Sequence, residues 1–235
     1  NNPSNPTGAV YTRAQIEAAF ASSALATWEG AAPPEPALPA PAPMAGSIFF
    51  VDVPGAAQST VMFLAPGPSR TAPDYVANML TAAVFGGSFT SRLNMNLREA
   101  KGYSYSARGG FTYSKAFGAF VATAAVQAES TDQTVLEIAK ELRALASGSA
   151  PVTAAELDRE KQSATLALPG RFATSQAALG QYRSLVYYGL PLDYFNSYVD
   201  KVGKVTEAQV KAAAAKNLRP GQAVSVRIYS RDAQG

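Results

Sequence analysis

A proline-rich run divides this chain of 235 residues into a short first part and a long second part. Between Ala31 and Met44 the prolines stand largely in alternation with alanine: Pro33, Pro34, Pro36, Pro39, Pro41 and Pro43. Proline lacks a backbone N–H and has a fixed φ angle, so a run of this density cannot form a helix or the interior of a sheet. The run predicts an extended, semi-rigid linker over residues 31–46, which separates a main domain at residues 47–235 from residues 1–30.

The segment before the linker has a helical pattern. Residues 12–27 are predicted to form a helix with Thr12 as its N-cap, ending near Trp28, Glu29 and Gly30. The chain begins with Asn1 rather than Met, and no basic stretch followed by an apolar stretch marks a signal peptide. We therefore expect a mature chain or a fragment.

The main domain alternates between strand-like and helix-like runs. The predicted strands are 47–53, 59–64, 103–112, 117–126 and 223–229. The predicted helices are 73–85, 91–101, an amphipathic helix around Val135, Ile138, Leu142 and Leu145, and then 153–168, 171–188, 192–202 and 206–217. Pro54 and Gly55 separate the first two strands, which indicates an antiparallel pair. The order of elements predicts a two-layer α+β domain, with an antiparallel-rich sheet covered by helices.

Two absent residue types exclude several kinds of chemistry in this chain. It has no cysteine and no histidine. Without them there is no Ser-His or Cys-His pair, no thiolate nucleophile and no imidazole or sulfur ligand for zinc. A net charge of +3 without any Lys/Arg patch does not indicate nucleic acid, and no apolar run has the length of a membrane span.

Two pairs of carboxylates lie four residues apart on predicted helices. They are Glu137/Glu141 and Glu156/Glu160, interleaved with Lys140, Arg143, Arg159 and Lys161. This mixture of charges is typical of a solvated helix face, and that is our interpretation of both pairs.

The segment from Phe85 to Ser106 carries the candidate functional residues. A predicted helix places Arg98 near its C-terminal end, Gly102 favours a tight turn, and the next strand carries Tyr105. A guanidinium and a phenol brought together across such a turn can bind peptide carbonyls and an oxyanion. The pattern alone leaves open that Arg98 is a surface helix residue and that Tyr105 is a half-buried strand residue.

The same segment resembles the C-terminal domain of pitrilysin/insulinase-type zinc metallopeptidases, which include bacterial two-domain forms and mitochondrial processing peptidase. Its first part follows a G-G-x-x-S-R-L pattern through Gly86, Gly87, Ser91, Arg92 and Leu93. Its second part follows L-R-E-x-K-G-x-x-Y through Leu97, Arg98, Glu99, Lys101, Gly102 and Tyr105. The resemblance covers about residues 45–230, and it identifies the helix before the linker as the closing helix of a preceding domain.

The resemblance implies a clamshell of two similar halves, of which this chain is the non-catalytic, substrate-binding one. The other half, a domain or a subunit, would carry an H-x-x-E-H motif and the zinc ion that activates water. Arg98 would bind a backbone carbonyl of the peptide substrate, and Tyr105 would donate a hydrogen bond to the tetrahedral oxyanion. Arg92 is expected to be structural, pairing with backbone or carboxylate at the start of its helix, and Tyr103 to pack. This chain would hold no metal, and its partners would be the zinc-binding half and the peptide, not nucleic acid.

Two other functions remain open on the sequence alone. The chain could be a structural pseudoenzyme subunit, as in the respiratory complexes that share this fold, or a stand-alone peptide-binding module. The resemblance does not say whether the zinc-binding half belongs to the same polypeptide, and it suggests the periplasm as the compartment without establishing it.

Overall fold

The computed structural model describes residues 12–27, 29–31, 34, 39, 46–218 and 226–232. The linker predicted over residues 31–46 therefore lies almost entirely outside the described residues. The division of the chain into residues 1–30, 31–46 and 47–235 stays a prediction.

Five strands and eight α-helices lie in the described part of the chain. The strands are β1 (Ile48–Val51), β2 (Ala56–Gly67), β3 (Ser104–Tyr113), β4 (Gly118–Gln127) and β5 (Val226–Asp232). The helices are α1 (Arg13–Ala21), α2 (Tyr75–Phe85), α3 (Arg92–Asn94), α4 (Thr131–Ser147), α5 (Ala154–Leu166), α6 (Ser175–Tyr188), α7 (Tyr198–Gly203) and α8 (Glu207–Asn217). A π-helix occupies Met95–Ala100, and 3₁₀ turns occupy Ala24–Thr27, Ala128–Ser130, Pro169–Phe172 and Tyr194–Ser197.

The chain forms two compact units. The first combines the described residues up to Pro39 with residues 167–192, and it contains α1 and α6. Thr12 is the N-cap of α1, as predicted: its hydroxyl accepts from the backbone N–H of Gln15, whose side chain accepts from the N–H of Thr12. The helix is shorter than predicted. The hydroxyls of Ser22 and Ser23 donate to backbone carbonyls three residues earlier, which competes with helical hydrogen bonding.

The second unit contains the sheet and the other helices. Its strand order is β1-β5-β2-β4-β3, with β1 and β5 parallel and every other neighbouring pair antiparallel. This confirms the α+β class and the antiparallel-rich sheet. The predicted pairing of the first two strands is wrong, because β5 lies between β1 and β2. A local strand pattern identifies a strand but does not identify a neighbour that comes from the distant end of the chain.

The core of this unit lies between one face of the sheet and the helices. Inward-facing residues alternate along two central strands: Val61, Phe63 and Ala65 on β2, and Phe120, Ala122, Ala124 and Val126 on β4. The helical residues of the core include Leu80, Val84, Ile138, Leu142, Leu145 and Val210. The amphipathic stripe predicted on α4 is thus confirmed for its three fully buried members. Burying a side chain of this size stabilises the fold by about 1.5–3 kcal/mol.

Two glycines bring the end of α2 into backbone contact with β3. The N–H of Gly109 donates to the carbonyl of Gly86 at 3.0 Å. A Cβ atom on Gly86 would lie 2.3 Å from the nitrogen of Gly109, and a Cβ on Gly109 would lie 2.4 Å from the ring of Phe85. Real Cβ atoms do not approach other atoms so closely, so only glycine fits at both positions.

Arg92 joins α3 to α5 and to the loop before it. Its Nε and Nη2 atoms each donate to a carboxylate oxygen of Glu156 at 2.7 Å. Its Nη1 and Nη2 atoms also donate to the carbonyls of Ala150 and Pro151, at 2.7 and 2.8 Å. Arg92 therefore has the structural role predicted for it. The prediction that Glu156 and Glu160 lie on a solvated helix face is wrong. Glu156 is bound to Arg92, and Glu160 is buried.

We expect Gly86→Ala to lower the free energy of unfolding by about 1–3 kcal/mol, because the added methyl must displace the backbone of β3. Urea unfolding followed by circular dichroism measures the change. The matched control is Gly203→Ala at the end of α7, where an added Cβ meets nothing within 4 Å, and its stability should be equal or higher. Equal stability of the two variants would contradict the close contact between α2 and β3.

The Arg92–Glu156 pair predicts a specific loss of stability in acid. Burial by itself would raise the pKa of Glu156, but hydrogen bonds from Arg92 and Thr153 lower it from 4.5 to about 2. A carboxyl group whose pKa is lower in the folded state stabilises the fold above its unfolded pKa and loses that contribution as the pH falls. We therefore expect Glu156→Gln to lower stability by roughly 2 kcal/mol near neutral pH and by much less at about pH 2.

The measurement is unfolding free energy as a function of pH for both proteins. The pKa values of Asp74 and Glu137 are also lowered, but these residues contribute equally to both proteins, so the difference isolates Glu156. The exposed Glu129→Gln serves as the control. A difference that stays constant between about pH 5 and pH 2 would show that the ion pair does not hold α3 in place.

Candidate functional site

A groove with a volume of about 700 Å³ lies beside β3. It is bounded by the segment that follows α2 and by β3 itself. The polar and aromatic residues that line it include Ser88, Phe89, Arg98, Ser106, Arg108 and Phe111. Of the two side chains predicted to bind substrate, Arg98 lines this groove. Tyr105 does not line it, but it directly precedes Ser106 on the same strand.

The segment that carries Arg98 is less regular than the predicted helix over 91–101. It consists of three α-helical residues, Arg92–Asn94, followed by the π-helix Met95–Ala100. Within the π-helix Leu97 is fully buried, whereas the next residue, Arg98, lies in the groove. Gly102 ends the segment with a φ of 66°, as the predicted glycine stop requires. π-Helical turns of this kind are frequent at functional sites.

Carboxylates from α4 and α5 hold this segment from outside. The amide nitrogen of Asn96 donates to Glu137 at 2.9 Å and to Glu141 at 3.0 Å. The hydroxyl of Ser88 donates to Glu160, which is 3% exposed. The hydrogen bond from Asn96 is the main reason why the pKa of Glu137 is lowered. Glu137 and Glu141 therefore also bind the segment. The prediction of a solvated helix face is thus wrong for this pair of carboxylates too.

The guanidinium of Arg98 is half-exposed and oriented by two neighbours. Its Cζ atom lies 4.6 Å from the centre of the Phe89 ring, a cation–π contact. Its Nε atom lies 3.4 Å from a carboxylate oxygen of Glu99. No hydrogen-bond acceptor among the described residues engages its two terminal nitrogens. Arg98 thus presents free donors while its position is restricted.

Tyr105 lies in a β-bulge at the start of β3. Ser104 pairs with Val126 and Ala107 pairs with Ala124, so Tyr105 and Ser106 together face one residue of β4. The hydroxyl of Ser104 secures the bulge, with contacts of 2.8 Å to the carbonyl of Ser106 and 2.6 Å to that of Ala125. The side chain of Tyr105 is 89% exposed. Among the described residues, no hydrogen bond or cation–π contact joins Tyr105 to Arg98.

The edge of β3 is already occupied where it faces the groove. The backbone N–H of Ala107 donates to the side chain of Asn94, and that of Gly109 donates to Gly86. Asn94 also donates to the carbonyl of Phe89 at 2.7 Å, so it ties the strand to the loop. A bound peptide could not add to the sheet at these two positions. The groove therefore offers side chains rather than an open strand edge there.

The groove has a positive character. Arg98 and Arg108 line it, and no carboxylate does so among the residues that the structure describes. Donors without competing acceptors suit the carbonyl oxygens and carboxylates of a peptide. Sequence reasoning missed Phe89, Asn94, Ser104 and Arg108. The alternation of inward-facing and outward-facing residues along β3 could have placed Arg108 on the outer face of the strand. The bulge at Tyr105 interrupts that alternation, so the sequence pattern does not show it.

The residues present do not fit a zinc site. Histidine and cysteine are absent from the sequence, and no cluster of three or more potential ligands occurs in the described ranges. Within those same ranges, no helix is both long and apolar enough to span a membrane.

Comparisons with a family model and with solved structures agree on the relationship. The family model for the peptidase M16 inactive domain matches residues 2–164. A solved peptidase M16 inactive domain from Pseudomonas fluorescens is 28% identical, with a TM-score of 0.75 over 91% of this chain and 50% of that chain. A protease from Helicobacter pylori is 18% identical, with a TM-score of 0.77 over 93% of this chain and 53% of that one. No match was found among curated proteins.

A chain of complex III2 from Candida albicans is also similar, at 18% identity and a TM-score of 0.71, over 94% of this chain and 53% of that chain. At this level of identity the last two structures show the fold alone. The present chain spans about half the length of each of these three structures. The match to the family model over most of the chain confirms the resemblance to the non-zinc-binding half of pitrilysin-type metallopeptidases. The chain belongs to the peptidase M16 inactive-domain family.

Proposed function

We propose that this chain is the substrate-binding, non-catalytic half of a zinc-dependent metalloendopeptidase. Its role is to complete the active site of a partner half that carries H-x-x-E-H and the zinc ion. The proposal rests on the groove beside β3, in which Arg98 presents free donors next to the strand that carries the exposed Tyr105. The zinc-binding half can be a domain of the same polypeptide or a separate subunit.

Arg98 is the proposed ligand of a substrate carbonyl. The contacts with Phe89 and Glu99 use the face and the Nε edge of its guanidinium, and they leave the terminal nitrogens for the peptide. Two parallel N–H donors on a planar group suit one carbonyl or a carboxylate. Arg108, which also lines the groove, can bind a second position of the same peptide.

Tyr105 is the proposed donor to the tetrahedral intermediate. The bulge directs its side chain into solvent, where the apposed half of a clamshell would meet it. A hydroxyl that protrudes from one half can reach the reacting carbonyl bound at the other. Such a donor is useful only if it is positioned before the reaction, and the bonds between Ser104 and the backbone of the bulge fix the point from which Tyr105 projects.

The test is hydrolysis of a peptide in the presence of zinc by this chain alone, by the H-x-x-E-H half alone and by the two together. We expect activity to require both halves. In the assembled enzyme, Tyr105→Phe should lower kcat by about 10²–10³-fold with little change in KM, since it removes a donor to the transition state. Arg98→Ala should lower kcat and also raise KM, because it removes a contact with the bound substrate.

The control is Tyr182→Phe on α6, a partly exposed tyrosine elsewhere in the chain, which should leave both constants unchanged. Activity of this chain alone would contradict the proposal, as would full activity of Tyr105→Phe. Assembly of the two halves without hydrolysis would favour a structural subunit. Peptide binding by this chain without any gain from the partner would favour a stand-alone binding module.

Phe89 provides a second, separate prediction. It is expected to hold Arg98 in position, so Phe89→Leu should raise KM by about two- to fivefold with kcat nearly unchanged, because an exposed cation–π contact is lost. Phe89→Tyr retains the ring and should restore the original KM. If Phe89→Tyr were as impaired as Phe89→Leu, the ring would not be what orients Arg98.

A further inference from the structure

A second cavity, of about 610 Å³, opens among α2, α7 and α8. Its wall is apolar where it approaches the core, and it includes Val76, Ala77, Val205 and Ala213. Ala77, Val205 and Ala213 are buried, so this wall is fixed by the packing of the domain. An opening of this volume is within the range of ligand sites in proteins.

The mouth of this cavity is basic. Among the described residues that line it are three lysines, Lys201, Lys204 and Lys216, and one carboxylate, Asp74. Lys216 lies 2.8 Å from Asp74 and is neutralised by it. Burial would raise the pKa of Asp74, but hydrogen bonding and the charge of Lys216 lower it, so the carboxylate remains ionised and keeps this lysine engaged.

The other two ammonium groups form no ion pair with a carboxylate of the residues that the structure describes. The Nζ atom of Lys201 lies 4.7 Å from the centre of the Tyr194 ring, a contact that leaves its positive charge in place. Lys204 makes no ion pair with any carboxylate in the described part of the chain. Two positive charges therefore stand at the entrance of an apolar cavity, where an anionic ligand could reach both.

This cavity is distinct from the groove beside β3. The two share no lining residue. Helix α2 begins at Tyr75, directly after Asp74 of the cavity, and ends at Phe85, directly before Gly86 of the groove. A helix of 11 residues separates them by about 16 Å.

We propose that the cavity binds an acidic segment of polypeptide. Carboxylates of the segment would pair with Lys201 and Lys204, and an apolar side chain between them would lie against Val76, Val205 and Ala213. The apolar wall favours a peptide over a small inorganic anion, which would use the charges alone. This inference does not depend on the proposed function, because it concerns other residues and requires no zinc-binding half.

The test is fluorescence anisotropy of this chain with a labelled peptide in which leucine alternates with glutamate. We expect saturable binding that is absent for the same peptide with glutamine in place of glutamate. Lys201→Gln/Lys204→Gln should weaken binding at least about tenfold, since two charged contacts are lost. Ala212→Trp, which fills the exposed wall without changing the charge, should also weaken it.

The matched control is Lys140→Gln/Lys211→Gln, which removes the same charge from exposed positions outside the cavity. It should bind the peptide as the unmodified chain does. An equal loss of affinity in both double variants would show that the peptide is attracted by the overall charge of the chain, and it would contradict a specific site at the cavity. Full binding by Ala212→Trp would overturn the role of the cavity, and competition by inorganic phosphate at concentrations equal to the peptide would overturn the assignment to polypeptide.

Discussion

Carboxylates on α4 and α5 hold the segment that carries Arg98, and the geometry of the groove depends on them. The segment between Gly86 and Gly102 contains only three α-helical residues and a π-helical turn, far too little helix to be stable alone. Its external bonds run from Ser88, Arg92 and Asn96 to four glutamates: Glu137, Glu141, Glu156 and Glu160. These partly buried bonds, rather than helix formation within the segment itself, hold it in place.

Backbone contacts complete the site from the opposite side. The approach of Gly86 to Gly109 brings the end of α2 onto β3, and Asn94 joins the same strand to the loop at Phe89. These contacts use the N–H groups that an edge strand would otherwise expose, which protects it from pairing with another chain. The proposed ligands are therefore side chains, with Arg98 on the irregular segment and Tyr105 on a bulge. Both sit at departures from regular structure, where a side chain can be aimed independently of its neighbours.

The division of labour proposed for this chain agrees with its chemistry. A protein without histidine or cysteine has few groups able to move protons near neutral pH or to bind zinc, whereas arginine and tyrosine donate hydrogen bonds without changing their protonation. The groove supplies donors and no competing carboxylate among the described residues. In the proposed function, these donors act only together with the zinc-binding half that faces them.

The local elements and the family could be predicted from the amino-acid sequence. Thr12 and Thr206 begin helices with capping boxes, Gly102 ends one, and the stripe of Ile138, Leu142 and Leu145 is buried, because each of these depends on residues a few positions apart. Three other results required the folded chain: which strand lies beside β2, that the glutamates bind the Arg98 segment, and that Tyr105 lies in a bulge. Each of them depends on residues distant in the chain, and a local pattern of charges or apolar residues does not say which distant group it will meet.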